Sequence, residues 1–380
     1  MSNTEPTDQM ENVVFLQSEV KDPYAQYEKM LREHPVYFDP VNKLWAIHRS
    51  HDCQSVLNTA TAYVPKSSLA FSNESEEVKY IISHLVRLSN PPHHTSARKA
   101  TTDLMMHWSK PDTSNLLHYL IGEPRKPVCM DWVNDICRKL PAFALLKGFN
   151  FPCNEIEAIL PEIESLVKMT LPSRTELQNK EVNQSVAAVL NSIHSFVLRT
   201  FKVKEEEETL HLYSANLIGL LIQSYDAGRG LLSNALLQLA KNHPSKKDID
   251  YIERVVKETL RFDPPVHHTC RVLTESMLLQ NQLLPTGENV LLVLAAANRD
   301  PEQFNDPSAF NPLRTEMPRY LTYGAGIHQC MAEHFSIHLT TTALSYLYTR
   351  YDHIEIGETE IQYEAKTNVR LPVRINILVT

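Results

Sequence analysis

The sequence is poor in glycine, with 9 glycines among 380 residues, whereas proteins usually contain about 7% glycine. Few glycines mean few flexible turns, a composition that suits a mostly helical protein. Each remaining glycine is therefore informative about a local requirement of the backbone. The hydrophobic and charged fractions, 43% and 22%, are ordinary for a globular protein and leave ample apolar material for a core.

Several classes of protein are excluded by other absences. The formal net charge of −8 gives no basic excess, and we find no cluster of Lys and Arg interleaved with aromatics, so nucleic acid is not an expected partner. No apolar run approaches the roughly 18–20 residues that span a bilayer. Residues 1–12 are polar and acidic, which predicts a flexible tail rather than a signal peptide or membrane anchor. We expect residues 13–380 to form a single domain.

The cysteines also lack a framework pattern. They are widely scattered without a CxxC pair, which favours reduced thiols in the cytoplasm over disulfides or a zinc site. The six are Cys53, Cys129, Cys137, Cys153, Cys270 and Cys330.

Periodicity predicts mainly α structure with small β-sheets (α+β). The expected helices include residues 23–34, 209–242 and 332–348, and residues 37–48 are expected to form a hairpin. Further strands are expected at 266–273, 276–284 and 290–294, and residues 354–380 have the alternation of edge strands, whereas 59–77 is expected to be a loop.

The most informative stretch is residues 320–333, YLTYGAGIHQCMAE. Cys330 precedes a predicted helix, whose N-terminus favours an anionic sulfur and lowers the thiol pKa. Gly324 and Gly326 permit backbone conformations that let a flat group approach closely. The stretch therefore indicates an iron-ligating cysteine in a haem pocket. The alternative is a buried structural cysteine after a turn.

Two further pairs have helical spacing. Pro91 and Pro92 start a helix, so His94 and Arg98, four residues apart, share one face and could hold a carboxylate. A solvated polar face is the alternative. In a later helix, residues 258–261 read ETLR, and their Glu and Arg can pair.

The long predicted helix is interrupted by residues 223–230, QSYDAGRG. Two glycines inside a helix cost about 1 kcal/mol each relative to alanine. The disturbed segment therefore indicates a packing or functional requirement. A helix that is polar and weakened at one point is a natural wall for a buried site.

Together these stretches resemble the haem-thiolate cytochrome P-450 family from Pro23 to the C-terminus. The resemblance implies the family fold, with haem b between the long helix and the cysteine loop, and Cys330 as the iron ligand. The loop matches the family's haem-binding loop, with Tyr323 in place of the usual Phe. The residues that the resemblance assigns to haem binding are His94, Arg98, Arg271, Tyr323, Gly324, His328 and Cys330, of which His94, Arg98, Arg271 and His328 would hold the propionates.

The resemblance also implies a structural triad of Glu258, Arg261 and Arg314. The phrase ANRDP at residues 297–301 is similar to the bacterial, cytoplasmic branch. That branch implies a monooxygenase that takes electrons from NAD(P)H through a ferredoxin or flavodoxin-type donor. The expected substrate is a small, mostly apolar molecule. Expected pocket walls include residues 59–88 and 221–228.

The long helix departs from the family pattern. Counting back from His243-Pro244 places Ala227 and Gly228 where an acid and a threonine are usual. In one interpretation, Asp226, Ser224 or a water in the space left by Gly228 relays protons, so these residues and Arg229 are the candidate catalytic positions.

Other interpretations remain open. Arg229 or a substrate carboxylate could support the use of peroxide, or the enzyme could catalyse oxidative coupling or dehydrogenation. A haem-binding scaffold without activity is a further alternative. His267 and His268 could recognise a polar substrate, or satisfy the backbone instead.

Overall fold

The computed structural model describes residues 12–65, 74–122, 128–204, 208–242 and 248–380. Except for Asn12, the predicted flexible tail lies outside the described residues. So do residues 66–73 of the predicted loop 59–77 and the His243-Pro244 helix stop.

Helices make up most of the fold, as the low glycine content predicts. The α-helices are α1 (Pro23–Glu33), α2 (Ser50–Asn58), α3 (Glu76–His84), α4 (His93–Met106), α5 (Thr113–Ile121), α6 (Leu140–Gly148), α7 (Cys153–Ile159), α8 (Ile163–Val167), α9 (Glu176–Phe201), α10 (Glu208–Lys241), α11 (Ile249–Phe262), α12 (Leu294–Ala297) and α13 (Glu333–Arg350). A π-helix spans Trp132–Cys137, and 3₁₀ turns span Leu160–Glu162, Lys168–Thr170 and Gly326–His328.

The strands form small sheets at the edges of the helical body. They are β1 (Val36–Asp39), β2 (Leu44–Ile47), β3 (Ala62–Tyr63), β4 (Val128–Asp131), β5 (Thr269–Leu273), β6 (Met277–Leu279), β7 (Gln282–Leu284), β8 (Asn289–Leu292), β9 (Ile354–Ile356) and β10 (Asn376–Val379). One sheet has the order β1-β2-β8-β5-β3, a second β4-β10-β9, and β6 pairs with β7 alone. The predicted hairpin at residues 37–48 is confirmed as β1 and β2.

Two strand predictions are wrong. The stretch 276–284 is a hairpin rather than one strand, because Gln280 and Asn281 adopt left-handed φ angles of 48° and 62° and turn the chain. The C-terminal strand β10 is not an edge strand, since it pairs on both sides, with β4 and with β9. The turn was missed because neither of its residues is glycine.

The helix α10 is the centre of the main core. It packs against α3, α4, α6, α9, α11 and α13, and most of its side chains are buried. A helix buried on nearly all sides needs apolar residues around its whole circumference, as its sequence provides. In the described parts of the chain, no helix combines the length and the apolar character needed to cross a membrane.

Candidate functional site

The cysteine loop, residues 320–333, is held by a buried ion-pair triad. The Glu258 carboxylate accepts from Arg261 at 2.7 and 2.9 Å and from Arg314 at 3.1 Å. Glu258 and Arg261 are completely buried. Arg261 also donates to the carbonyl groups of Asn298 and Pro307, so α11 fixes the irregular segment that leads to the loop. This bonding matches the structural role that the sequence predicts.

A backbone hydrogen bond and close packing against α2 also hold the loop in place. The side chain of Asn298 accepts from the backbone N–H of Leu321 at 2.6 Å. At Gly326, φ is 69° and an added Cβ would lie 2.1 Å from the carbonyl oxygen of Leu57, so only glycine fits against α2. At Gly324, φ is 67° and an added Cβ would meet no atom within 4 Å. The loop therefore presents open space above Gly324, as a flat ligand requires.

Cys330 lies three residues before α13, in a recess. Its thiol is accessible to solvent, yet protein surrounds it closely enough that burial dominates its ionisation. Burial raises the pKa of the Cys330 thiol, although the N–H of Ala332, which donates to the sulfur at 3.4 Å, and Arg98 act to lower it. The predicted net lowering by the helix N-terminus is therefore wrong for the free thiol. Iron would replace the proton, since a coordinated thiol is deprotonated.

Tyr323 replaces the usual phenylalanine without bringing its hydroxyl to the sulfur. The Tyr323 hydroxyl forms a hydrogen bond of 2.7 Å with Ser336 on α13. The backbone carbonyl of Tyr323 accepts from the N–H of Cys330 at 2.9 Å. The extra hydroxyl thus anchors the ring, and the backbone of the loop closes around the cysteine.

Four basic side chains converge beside the loop; we call His94, Arg98, Arg271 and His328 the cation cluster. The rings of His94 and His328 lie with their centroids 4.3 Å apart. Arg98 donates to the carbonyl oxygen of Gln329 at 2.8 Å. Burial, followed by the charges of His94, Arg271 and Arg98, lowers the pKa of His328 to about 3. Elements distant in sequence thus meet at one electropositive point.

The cation cluster lacks anions of its own. Across the described ranges, neither Arg98 nor Arg271 forms an ion pair with a carboxylate, and the buried Nε2 atoms of His94 and His328 have no hydrogen-bond partner. Burial lowers the pKa of both arginines. Unpaired buried cations are costly, so the cluster fits a ligand that brings its own carboxylates next to the Cys330 thiol. A haem with two propionates has that chemistry.

The contacts of α10 define which of its faces is turned toward α3, α4 and the Pro265 segment. Asn216 binds the backbone N–H of Val86, an added Cβ at Gly219 would lie 2.8 Å from Leu85, and one at Gly230 would lie 2.6 Å from Pro265. Because these positions recur at helical spacing, Gln223, Asp226 and Ala227 lie on or beside the same face.

Gly228 belongs to a different face of α10. An added Cβ there would lie 2.8 Å from Pro141 of α6. The space that the sequence analysis assigns to a water is therefore filled by Pro141, and Gly228 is a packing position.

Asp226 and Arg229 belong to an ion-pair group that we call the α10 network: Asp226, Arg229, Glu364 and Lys366. Asp226 accepts from Arg229 at 2.8 Å and from Lys366 at 2.7 Å, and Arg229 donates to Glu364 at 2.7 Å. Burial acts to raise the pKa of Asp226, but Arg229 and Lys366 outweigh it, so the pKa lies below its usual value. Arg229 is 3% exposed and has its charge matched by carboxylates.

The remaining candidates have local partners. The Ser224 hydroxyl donates to the carbonyl of Leu221 in its own helix at 2.8 Å. His267 is fully buried and its Nδ1 lies 2.9 Å from the Tyr27 hydroxyl. His268 lies 3.1 Å from the carbonyl of Thr367. These contacts favour structural roles for both histidines rather than recognition of a substrate.

The sequence analysis did not single out Arg87, Glu364 or Lys366. Glu364 and Lys366 are more than 130 residues from their partners on α10, and no local pattern marks them. Arg87 is the one charged residue in the otherwise apolar stretch 85–88, which reads LVRL. A lone charge in such a run is the one signal that could have identified it.

Comparisons with known proteins agree with this geometry. A family model described as Cytochrome P450 matches residues 232–379. "Cytochrome P450 109" of Bacillus spizizenii is 25% identical over 93% of this chain and 92% of its own length. "Cytochrome P450 119" of Sulfurisphaera tokodaii is 27% identical over 81% of this chain and 86% of its own length.

Solved structures show the same fold. The crystal structure of CYP109E1 from Bacillus megaterium in complex with corticosterone superposes with a TM-score of 0.80, covering 94% of this chain and 98% of that chain at 20% identity. The fold prediction, mainly α with small sheets, is therefore confirmed. Together with the cysteine loop, the partial match to the family model and the bacterial relatives make this chain similar to cytochromes P450 and support a haem monooxygenase.

Proposed function

We propose that the protein is a haem b monooxygenase that inserts one oxygen atom from O₂ into a small, mostly apolar substrate. The family supplies the general activity, a haem cofactor, reducing equivalents and a redox partner. The observation that carries the specific proposal is the position of the Cys330 thiol beside four basic side chains that form no ion pair with a carboxylate of the described residues. When bound, the haem supplies the activation of oxygen.

The residues around that haem have separable tasks. Cys330 would hold the iron as a thiolate, a ligand that supplies electron density for oxygen chemistry. His94 and Arg98 on α4 would hold one propionate, and Arg271 and His328 would hold the other. Tyr323 and Gly324 would shape the loop that faces the haem. We propose that residues 13–380 form a single catalytic domain.

On the opposite wall, Asp226 is the proposed proton-handling group. Its carboxylate stays ionised because two cations hold it and lower its pKa, so it would act by ordering the water molecules that carry the proton rather than by holding the proton itself. Arg229 positions this carboxylate rather than acting directly. Ser224 stays a candidate relay, and Gly228 is withdrawn because Pro141 occupies its open side.

We propose that electrons come from NAD(P)H through a ferredoxin or flavodoxin-type donor, in the cytoplasm. All six cysteines are free, which suits a reducing compartment.

Reconstituted turnover tests the choice of oxidant. Compounds that shift the haem absorption spectrum are incubated with ferredoxin, ferredoxin reductase and NADPH under air, and in parallel with hydrogen peroxide alone. We expect product that depends on the reductase, with none from the Cys330→Ser variant. Robust product from peroxide, with none driven by the reductase, contradicts the use of O₂.

A further inference from the structure

Four hydrogen bonds join the cysteine loop and the start of α13 in a closed ring, which we call the sulfur circuit: Cys330, Tyr323, Ser336 and Ala332. The backbone N–H of Cys330 donates to the carbonyl of Tyr323 at 2.9 Å, and the hydroxyls of Tyr323 and Ser336 lie 2.7 Å apart. The backbone N–H of Ser336 donates to the carbonyl of Ala332 at 2.8 Å. The N–H of Ala332 donates to the Cys330 sulfur at 3.4 Å, which closes the ring.

The hydroxyl of Tyr323 is the donor in its bond with Ser336. A serine hydroxyl has one hydrogen to donate, and that of Ser336 donates to the carbonyl of Glu333 at 3.0 Å. The serine oxygen is therefore left to accept from Tyr323. A phenylalanine at this position would keep the ring but could not make the bond, so the bond depends on the one residue of the loop that departs from the usual phenylalanine.

The first turn of α13 has no side-chain cap of its own. Its N-cap residue is Ala332, which makes no capping hydrogen bond through its side chain, and alanine is among the poorest residues at this position. Helix ends fray when their backbone groups are not held. The bond from Tyr323 ties Ser336 to the cysteine loop, and this tie fixes the turn that carries the Ala332 N–H.

The Ala332 N–H is the group that acts on the sulfur. Among the described residues, it is the one hydrogen-bond donor to the Cys330 sulfur. Such a bond stabilises negative charge on the sulfur, so it reduces the electron density that a thiolate gives to a bound iron. Hydrogen bonds to the ligand are one of the means by which a protein sets the reduction potential of a metal.

We propose that Tyr323 and Ser336 are positioning residues whose hydrogen bond holds the Ala332 N–H on the Cys330 thiolate, and thereby raises the reduction potential of the haem iron. This inference rests on the proposed function, because it requires a haem with Cys330 as its ligand. The two hydroxyls bond to each other and to the carbonyl of Glu333, so they act on the sulfur through the backbone of α13 and of the loop.

Redox titration of the purified, substrate-free holoenzyme tests the proposal. Tyr323→Phe and Ser336→Ala each remove one hydroxyl of the bond, so each should move the potential of the Fe³⁺/Fe²⁺ couple to a more negative value. At the wild-type midpoint potential, the ratio of ferrous to ferric protein should fall about 3- to 10-fold, a fraction of the effect of losing a hydrogen bond to a charged group. The double variant should move no further than the single variants, because both remove the same bond.

The matched control is Tyr346→Phe. It removes another tyrosine hydroxyl from α13, and within the described ranges this hydroxyl has no hydrogen-bond partner. Its potential should equal that of the wild type. Urea unfolding of all variants is measured in parallel, because a bond that only supports the fold would lower the unfolding midpoint and leave the potential unchanged.

Unchanged potentials in Tyr323→Phe and Ser336→Ala would overturn the proposal, as would shifts that add in the double variant or a shift of the same size in Tyr346→Phe. Loss of haem from both single variants would also overturn it, because the bond would then retain the cofactor rather than tune it. The spectrum of the reduced, carbon monoxide-bound wild type reports separately on the proposed function. Without thiolate ligation in that spectrum the function itself fails, whereas thiolate ligation with unchanged potentials refutes this inference alone.

Discussion

The cysteine loop with its cation cluster and the α10 network are both groups of charged residues inside an apolar protein, but they are satisfied differently. In the α10 network, Asp226, Arg229, Glu364 and Lys366 neutralise one another within hydrogen-bond distance. In the cation cluster, two arginines and two neutral histidines lie together, and within the described ranges the Nε2 atoms of both histidines have no hydrogen-bond partner. The cation cluster therefore requires a ligand, whereas the α10 network stabilises the fold.

We expect the largest loss of stability at the Glu258 triad, because its mutually neutralised charges are completely buried. Glu258→Gln leaves Arg261 and Arg314 buried without a carboxylate, and breaking such a pair costs about 3–5 kcal/mol. Urea unfolding of the holoenzyme measures the change. Lys79→Ala, which removes an exposed pair with Glu76, is the control and should leave the midpoint unchanged. A Glu258→Gln variant as stable as this control would show that the triad does not support the fold.

Substitutions in the cation cluster should affect the retention of haem more than the stability of the fold. Removing Arg271 or Arg98 would delete a proposed donor to a propionate, and a hydrogen bond to a charged group contributes about 1.5–3 kcal/mol. We expect Arg271→Ala to release haem about 10- to 100-fold faster than the wild type, as measured by transfer to apomyoglobin.

The matched control for this experiment is Arg254→Ala, which should release haem at the wild-type rate. If Arg98→Ala and Arg271→Ala both retain haem as well as the control does, the open cluster serves another ligand.

A smaller effect is expected at Gly228. Its open side faces Pro141, so Gly228→Ala overpacks the contact between α10 and α6, at a cost of about 1–3 kcal/mol. The cofactor spectrum should not change. At Gly357 an added Cβ would make only ordinary contacts of 3.5 Å or more, so Gly357→Ala is the neutral control. An altered haem spectrum in Gly228→Ala, with unchanged stability, would return this residue to the site.

The smallest effect is the pH dependence of the α10 network. The folded-state pKa of Asp226 lies below its usual value, so its carboxylate contributes stability above the unfolded pKa of about 3.9. That contribution is lost as the pH falls through the folded pKa. Asp226→Asn should therefore be less stable than the wild type at neutral pH and converge with it in acid. Urea midpoints across pH give the difference, and a difference independent of pH would rule out this ionisation.

Much of the cysteine loop and the cation cluster could be predicted from the sequence, because the signals for them are local. Cys330 follows a glycine-containing loop, and His94 and Arg98 are four residues apart on one helix. The approach of Arg271 and His328 to that pair was available only through the resemblance to a family, since it depends on how three distant segments meet.

The α10 network and several details of the fold could not be predicted from the sequence. Glu364 and Lys366 reach α10 from a C-terminal segment, and no periodicity signals such a contact. Gly228 packs against Pro141 of α6, which is far from it in sequence, so no local pattern could show that this glycine is a packing position. In the turn at Gln280 and Asn281, the left-handed conformation of Gln280 has no signal in the sequence, and Asn281 alone favours a turn.

The central claim is that the cysteine loop and its cation cluster form a haem-thiolate site. The absorption spectrum of the reduced, carbon monoxide-bound protein tests it most directly. The structure predicts the long-wavelength Soret band of thiolate ligation in the wild type and in Cys153→Ser, which removes an exposed cysteine, and its loss in Cys330→Ser. A wild type that binds haem without this band, or a Cys330→Ser variant that keeps it, would contradict the account.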